Sequence, residues 1–370
     1  MPGSGESALQ RFPIAREPRS SFAFHPPAVY PTAMHRFLSL VLGLLSAAVS
    51  IHAASYRYLH SIAIGGEGGW DYISVDAATH RLFVSHATKV VIVDTRTDQV
   101  TGEIADTPGV HGVAVDPRSG HLFTSNGRED RVSIVDGTTL QTLGKVATGP
   151  NPDTILFEPG HGEIYAFNGR GASITVIDAA AGTVTATLPL DGKPEFAIAD
   201  KAAGRVYVNL EDKNEIAALD TARHAVAARW PIAPGEAATG LDFDAAHHRL
   251  FAGCDNHRLI VLDSTDGHFV ADVPAGAGID GVGFDPGTGL AFTANGQDGT
   301  VTVVHEDTPD KFTVVQTLVT EPYARTIAVD PVSHKLYLPT AKVEMKDEGG
   351  KTRRQIASGS FKVLVYELVP

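Results

Sequence analysis

Seven positions at a regular spacing carry side chains that could bind a small ligand or a cation. Each lies five residues before an acidic residue that ends a short apolar segment: Asp71, His111, Asp153, Glu195, Thr239, Asp280 and Arg325. Six of the seven are ionisable, and four are carboxylates. Carboxylates held together have raised pKa values unless a cation or an arginine compensates them. If the fold brings these positions together, the pattern predicts a polar funnel that binds a small ligand or cation.

Aromatic and soft side chains accompany these positions. The neighbours that could form aromatic walls are Trp70, Tyr72, Phe196 and Tyr323. The candidate ligands of a transition metal are His86, His111 and Cys254, because imidazole and thiolate are the donors such ions prefer. The chain has no spaced metal-binding motif, however, and a buried cysteine is more often a small core residue. The alternative interpretation of the seven positions is that charged groups merely solvate a channel mouth.

The spacing arises from a unit that occurs seven times. The acidic residues that end its first apolar segment are Asp76, Asp116, Glu158, Asp200, Asp244, Asp285 and Asp330. Each unit contains four strand-like segments, a to d, of which d is the most polar. Units of 40 to 45 residues with this content predict an all-β, seven-bladed propeller with four antiparallel strands per blade. The seventh unit lacks strand d, and residues 56–64 are expected to supply it and close the ring.

These units resemble the YVTN-type repeat family, and within it the YncE-like seven-bladed propellers of bacteria. The segment "VAVDPRSGHLFTSNGREDRVSIVDGTTLQTLGKVATGP", residues 113–150, shows the resemblance, which extends over residues 55–370. The resemblance implies the fold strongly and the function weakly. Family members include uncharacterised secreted proteins, and related propellers serve as ligand binders, lactonases or parts of redox enzymes. One YncE-like relative binds single-stranded nucleic acid.

The amino-terminal segments predict export. Residues 34–54 have a short basic start, an apolar run over residues 37–51 and small residues at Ala53 and Ala54, as in a secretory signal peptide. The apolar run is too short for a membrane span of about 20 residues. Residues 1–33 contain six prolines and no periodicity, which indicates an unstructured leader or a mis-assigned start. We therefore expect a periplasmic or secreted monomer without a membrane span, folded over residues 55–370.

Charge and cysteine content restrict the partners. The formal net charge is −13, and it becomes −15 without residues 1–54, which contain four Arg and two Glu. A field of this sign repels phosphate backbones, so nucleic acid is not expected as a partner. The single cysteine excludes an intrachain disulfide. The sequence also lacks the local motifs of serine hydrolases, metalloproteases, P-loop enzymes and c-type haem proteins.

Three further patterns give local predictions. Asn-Gly pairs at 126–127, 168–169 and 295–296 predict hairpin turns with positive φ. The histidines of the a-to-b turns are expected to be solvated: His80, His121, His161, His247, His248 and His334. Residues 341–360 form an unusually long b-to-c connection, expected to be a flexible hairpin or a lid or docking arm for the funnel.

Two hypotheses for function follow from these patterns. The first is a non-catalytic propeller that binds a small ligand, a cation or a protein partner at the funnel. The second is a lactonase- or quinoprotein-like enzyme that uses the funnel carboxylates and His111, with or without a divalent metal. The sequence does not identify the ligand.

Overall fold

The structure, a computed structural model, describes residues 55–348 and 351–369. These residues form seven four-stranded antiparallel sheets arranged as the blades of a propeller, and one two-stranded hairpin. The predicted fold class is therefore confirmed. The predicted leader and signal segment lie outside the described residues. Within the described part, no helix is long and apolar enough to cross a membrane.

The strands follow the predicted order a to d from the centre of each blade outwards. The first strand of the described chain is β1 (Ser55–Ala63), which belongs to the seventh blade. Blades 1 to 3 contain β2 (Trp70–Asp76), β3 (Arg81–His86), β4 (Lys89–Asp94), β5 (Gln99–Ile104); β6 (Val110–Val115), β7 (His121–Asn126), β8 (Arg131–Asp136), β9 (Thr142–Ala147); and β10 (Pro152–Glu158), β11 (Glu163–Asn168), β12 (Ser173–Asp178), β13 (Thr183–Pro189).

Blades 4 to 6 repeat this arrangement. They contain β14 (Pro194–Asp200), β15 (Arg205–Leu210), β16 (Glu215–Asp220), β17 (Ala225–Pro231); β18 (Ala238–Asp244), β19 (Arg249–Cys254), β20 (Arg258–Asp263), β21 (Phe269–Pro274); and β22 (Ile279–Asp285), β23 (Leu290–Asn295), β24 (Thr300–Thr308), β25 (Lys311–Val319). A single 3₁₀ turn of the described residues, Glu211–Lys213, follows β15.

Blade 7 joins the two ends of the propeller. Its inner strands are β26 (Ala328–Val329) and β27 (Leu336–Thr340), and the hairpin of β28 (Val343–Glu348) and β29 (Lys351–Ile356) precedes its third strand, β30 (Lys362–Val369). The sheet order is β1, β30, β27, β26, so the first strand of the propeller is the outer strand of the last blade. The predicted closure is confirmed.

Hydrogen bonds and burial hold β1 in place. It pairs antiparallel with β30 from Ser55 opposite Val369 to Ala63 opposite Lys362. The backbone N–H of Tyr56 donates to Gln316 Oε1, and Gln316 Nε2 donates to the Tyr56 carbonyl, both at 2.8 Å. These bonds also tie β1 to the outer strand of blade 6.

The core lies between neighbouring blades. Strand b is buried on both faces, as in β11, β19 and β23, where all six residues are buried. Aromatic rings fill the wedge between blades: Phe251 of blade 5 stacks on Phe284 of blade 6, with centroids 5.1 Å apart. The innermost strands of successive blades also contact each other around a complete circle, because β26 contacts both β22 and β2. Burial of this apolar surface is the main stabilising contribution.

The acidic residue at the end of strand a stabilises the following turn. Asp116 Oδ1 accepts a hydrogen bond from the N–H of Arg118 at 3.0 Å, and Asp285 Oδ1 accepts one from the N–H of Gly287 at 2.9 Å. Such bonds to the backbone two residues ahead favour Asp in turns. The residues that made the repeat recognisable therefore have a structural role at the opposite end of strand a from the seven funnel positions.

The histidines of these turns are exposed or partly exposed, in line with the prediction, but some of them also bind carboxylates. His80, His248 and His334 do occupy turn positions, with φ of 57°, 59° and 58°. His334 Nδ1, however, lies 2.7 Å from Asp285 Oδ2 of the preceding blade, and His161 Nδ1 lies 3.0 Å from Glu158 Oε2. A buried carboxylate needs hydrogen-bond partners, and these histidines provide them.

The third strand of blade 6 is longer than its equivalents in blades 1 to 5. It continues to Thr308 and pairs there with Lys311 of β25. Asp307 fixes this extension, because it accepts hydrogen bonds from Lys311 Nζ and Thr313 Oγ1, each at 2.8 Å. The extension places Glu306 beside blade 5.

Candidate functional site

A β-bulge lies at each funnel position of blades 1 to 6. The pairing of strands a and b shifts register there, for example between Trp70 and Ile73 in β2 and between Pro152 and Ile155 in β10. The residues inside these irregularities are the predicted ones: Asp71, His111, Asp153, Glu195, Thr239 and Asp280. Bulges commonly redirect side chains beside functional sites. We call these six residues and Arg325 the ring.

Three ring residues of blades 1 to 3 converge closely. His111 Nδ1 lies 2.5 Å from Asp71 Oδ2 and 3.4 Å from Asp153 Oδ1. One ligand atom from each residue lies within 4.8 Å of the other two. Their side chains are 14 to 24% exposed, so a ligand can reach them. These residues could hold a divalent cation or the positively charged group of a small molecule.

Arg325 connects the other side of the ring. Its Nη1 lies 2.7 Å from Asp280 Oδ2, its Nη2 lies 3.5 Å from Asp71 Oδ1, and Nη2 donates to the carbonyl of Trp70 at 3.3 Å. The guanidinium therefore joins blades 6, 7 and 1. Asp280 and Asp71 are compensated by this contact, as the sequence pattern predicted for an arginine among carboxylates.

Two ring residues, Glu195 and Thr239, bind partners outside the ring. Glu195 pairs with Lys193, whose Nζ lies 2.5 Å from Glu195 Oε1 and also contacts Glu211. Thr239 donates its hydroxyl to the carbonyl of Ile279 at 2.9 Å. Sequence analysis missed Lys193, although it lies two residues before Glu195, the spacing that puts side chains on one side of an extended chain.

Burial shifts the pKa values of the ring acids upward. Burial raises the pKa of Asp153 to about 6, although His111 opposes the shift. Burial raises the pKa of Glu195 to about 8 against the hydrogen bond from Lys193, and it also raises that of Asp280. Burial lowers the pKa of His111, but the hydrogen bond to Asp71 and the nearby carboxylates outweigh it and raise the pKa overall. The ring therefore favours an added positive charge.

Two arginines outside the ring complete a small cavity of about 240 Å³. Arg128 and Arg170 line this cavity together with Asp71, His111 and Asn151. Neither arginine side chain has an ion pair or hydrogen bond among the described residues. Sequence analysis did not single them out, although Arg128 and Arg170 each lie two residues after the end of strand b, at equivalent positions. The lining of the cavity thus includes one carboxylate, one histidine and two free guanidinium groups.

The predicted aromatic residues divide into two groups. The ring of Tyr72 contacts that of Phe196 edge-on at 5.2 Å, and burial and nearby carboxylates raise the pKa of Tyr72. Trp70 and Tyr323 line a second cavity of about 450 Å³ together with Arg325 and the hairpin β28–β29, and Trp70 also lines the first cavity. The Arg354 guanidinium of that hairpin lies 6.0 Å from the Tyr323 ring centroid. The predicted hairpin over residues 341–360 is confirmed, and its described residues lie beside the funnel.

The structure does not bring the three metal candidates together. His86 is buried, its Nε2 lies 3.0 Å from the carbonyl of Glu67, and burial lowers its pKa to about 4. Cys254 is buried, and burial raises the pKa of its thiol to about 12. Among the described clusters of three potential metal ligands, only His111 of these candidates takes part.

The Asn-Gly pairs lie at hairpins between strands b and c, as predicted, but the predicted positive φ was wrong. Asn126, Asn168 and Asn295 end strand b with buried side chains, and none of the three pairs has a positive φ. Asn126 Nδ2 donates to Ser133 Oγ at 2.7 Å, and Asn168 Nδ2 donates to Thr175 Oγ1 at 3.1 Å. These bonds cross to strand c, which explains the asparagine in structural terms.

Gly127, the glycine of the first Asn-Gly pair, leaves room for the His111 side chain. A Cβ at position 127 would lie 2.5 Å from His111 Nε2, whereas one at position 169 would have its nearest neighbour, Asn151 Nδ2, at 3.4 Å. We expect Gly127→Ala to displace His111 from Asp71 with little change in thermal stability. Ligand affinity at the cavity should fall about tenfold. Calorimetric titration checks this, with Gly169→Ala as the matched control, and equal affinities in both variants would contradict it.

Comparisons with known proteins show the fold alone. No family model matches the chain, and no curated protein sequence matches it. A solved structure entitled "Kuenenia stuttgartiensis Hydrazine Synthase" is similar, with a TM-score of 0.65 and 17% identity over 81% of this chain and 98% of that one. This supports the propeller architecture. Membership of the YVTN-type, YncE-like family stays a prediction.

Proposed function

We propose that this protein is a periplasmic or secreted, non-catalytic propeller that binds a small ligand carrying both a positive and a negative group. One observation carries the proposal: Asp71 and His111 share a cavity with the unpaired Arg128 and Arg170. The positive group would contact Asp71 and Asp153, and the negative group would contact the guanidinium groups, which suit carboxylate or phosphate. Export is supported by the predicted signal segment at residues 34–54.

The size and the electrostatics of the cavity both suit such a ligand. A volume of about 240 Å³ corresponds to about eight water molecules in the liquid. Burial raises the pKa of Asp153, which lies beside His111, so a bound positive charge would favour its ionised form. A few convergent polar groups in a concave site are typical of small-molecule recognition.

Calorimetric titration with α-amino acids tests the proposal. Amines and carboxylates that lack one of the two charged groups are the comparison ligands, and divalent metal ions are titrated separately. We expect the doubly charged ligands to bind, and Asp153→Asn and Arg128→Gln each to weaken binding at least about tenfold, or 1.4 kcal/mol. Glu103→Gln, an exposed change in strand d of blade 1, should have no effect. Equal binding of ligands with one and two charged groups, or wild-type affinity in Asp153→Asn, contradicts the proposal.

One observation favours an enzyme as the second candidate. The Asp71–His111 contact of 2.5 Å orients the imidazole and raises its pKa, as expected of a general base held by a carboxylate. A lactonase- or quinoprotein-like activity would place the substrate against Asp153, with or without a divalent cation. Hydrolysis of a lactone panel that is lost in His111→Gln would support this alternative over simple binding.

The remaining partner predictions rest on charge. The net charge of −15 over residues 55–370 opposes binding of nucleic acid. A monomer is expected, and sedimentation of the purified protein tests it. The binding hypothesis also includes a protein partner, which would contact the funnel and the neighbouring hairpin β28–β29.

A further inference from the structure

A second cluster of ionisable residues lies between blades 5 and 6, at the far end of strand a from the ring. Asp244 ends β18, His247 follows in the turn, and Glu306 comes from the extended part of β24. Thr239 of the ring and Asp244 are five residues apart on one strand, or about 16 Å. The Asp244 and Glu306 side chains are each 4% exposed, whereas that of His247 is 48% exposed. The cluster is therefore buried on its acidic side and open on its histidine side.

Glu306 lacks the hydrogen bonds that a buried carboxylate requires. Neither of its oxygens accepts a hydrogen bond from the described residues. His247 Nδ1 lies 2.9 Å from Glu306 Oε1, but it also lies 2.7 Å from Asp244 Oδ2, and one ring nitrogen carries one proton. Asp244 Oδ1, by contrast, accepts a hydrogen bond from the N–H of Ala246 at 2.9 Å. Two buried carboxylates thus compete for one partner, which is unfavourable without a further positive charge.

We propose that Asp244, His247 and Glu306 bind a divalent transition metal ion such as Zn²⁺. The three donor atoms lie within 4.8 Å of one another, so small side-chain movements bring them to the 2.0–2.2 Å ligand distances of zinc. The imidazole favours such an ion over Mg²⁺ or Ca²⁺, which prefer oxygen ligands. The neutral imidazole would bind the metal through the Nδ1 lone pair with its proton on Nε2, and any second proton would pass to solvent. The exposed side of His247 leaves a fourth position for water.

Other clusters of the same composition show why this one is singled out. Asp263, Asp266 and His268 also lie within 4.8 Å of one another, but the Asp266 and His268 side chains are 66% and 57% exposed. In the cluster of Glu158, His161 and Glu163, the second carboxylate is paired with another histidine. Within the described residues, the proposed site is the one cluster of the four with a buried carboxylate that accepts no hydrogen bond.

The bound ion would connect two blades. Asp244 and His247 belong to blade 5 and Glu306 to blade 6, so metal binding would stabilise their junction against separation. This role is independent of the ring and of the ligand proposed for it.

Crystals of the metal-stripped full chain, soaked in Zn²⁺ and measured at the zinc edge, test the proposal. We expect an anomalous peak between the three side chains and an increase in thermal stability on adding Zn²⁺. Glu306→Gln and His247→Ala should each remove one bound zinc per chain and abolish the zinc-dependent increase in thermal stability. His247→Ala changes an exposed side chain, so it tests the proposal even if Glu306→Gln impairs folding. Asp266→Asn and Asp153→Asn should leave this zinc in place, which separates it from the exposed cluster and from the ring. Absence of the peak, or unchanged zinc content in both variants, overturns the proposal.

Discussion

A chain without β1, residues 55–63, is expected to lose its cooperative unfolding transition. Blade 7 would keep three strands, and the polar backbone groups of β30 that now pair with β1 would become an exposed edge. Tyr56 and Ile62, which are 2% and 5% exposed, would be lost from two separate core clusters. Burial of two such side chains contributes about 4 kcal/mol, a large share of the 5–15 kcal/mol of a typical domain. The pairing of β1 and β30 adds to this loss.

Urea unfolding followed by tryptophan fluorescence measures the effect of this deletion. The control is a chain in which residues 345–354 are replaced by a short glycine linker, since the described residues of this segment belong to hairpin β28–β29 and Met345 is 62% exposed. We expect the control to unfold like the wild type and the deletion to aggregate or unfold without a sharp transition. A deletion variant with wild-type stability would show that closure by β1 is dispensable.

The second large effect is a loss of stability between pH 5 and pH 8 that depends on Asp242. This residue lies in β18, and its carboxylate accepts hydrogen bonds from the N–H of Phe243 at 2.8 Å and that of Phe284, in the next blade, at 2.7 Å. Burial raises its pKa from 3.8 to about 7, although these two bonds oppose the shift. Sequence analysis did not predict this group.

The direction of the effect follows from linkage. Below pH 3.8 the carboxyl is protonated in both states and ionisation does not affect folding. As the pH rises towards 7, the unfolded chain loses its proton first, so the free energy of unfolding falls; above pH 7 the loss is complete. We expect the wild type to lose about 2–3 kcal/mol between pH 5 and pH 8 through this group. Urea unfolding at several pH values checks this, since Asp242→Asn should show a flatter curve. Parallel curves for the two proteins would contradict the assignment.

The repeat allowed most of the fold to be predicted from the sequence. An acidic residue recurs at the end of strand a because the following turn needs its side chain, and this made the register visible. The same register identified the ring residues correctly as neighbours, as the contact of His111 with Asp71 shows. Closure by β1 followed from counting strands, since unit seven lacked one.

Features that depend on neighbouring blades could not be predicted in this way. Glu306 meets Asp244 only because β24 is longer than its equivalents, and the repeat pattern describes the average blade. The positive φ predicted for the Asn-Gly pairs was wrong because these asparagines end strand b and bond to strand c, which local turn preference does not report. The repeats show which residues are equivalent in the seven blades, whereas the candidate site consists of positions at which the blades differ.

The pairing of β1 with β30 also determines the order in which the molecule can be completed. Arg57 and Glu367, which form an ion pair across these strands, are 310 residues apart in sequence. The hairpins of blades 1 to 6 pair strands that follow each other in sequence, but the last blade needs strands from both ends of the propeller. Joining segments so far apart costs loop-closure entropy and slows folding. Until β30 has been synthesised, β1 therefore lacks the partner strand that it has in the folded propeller.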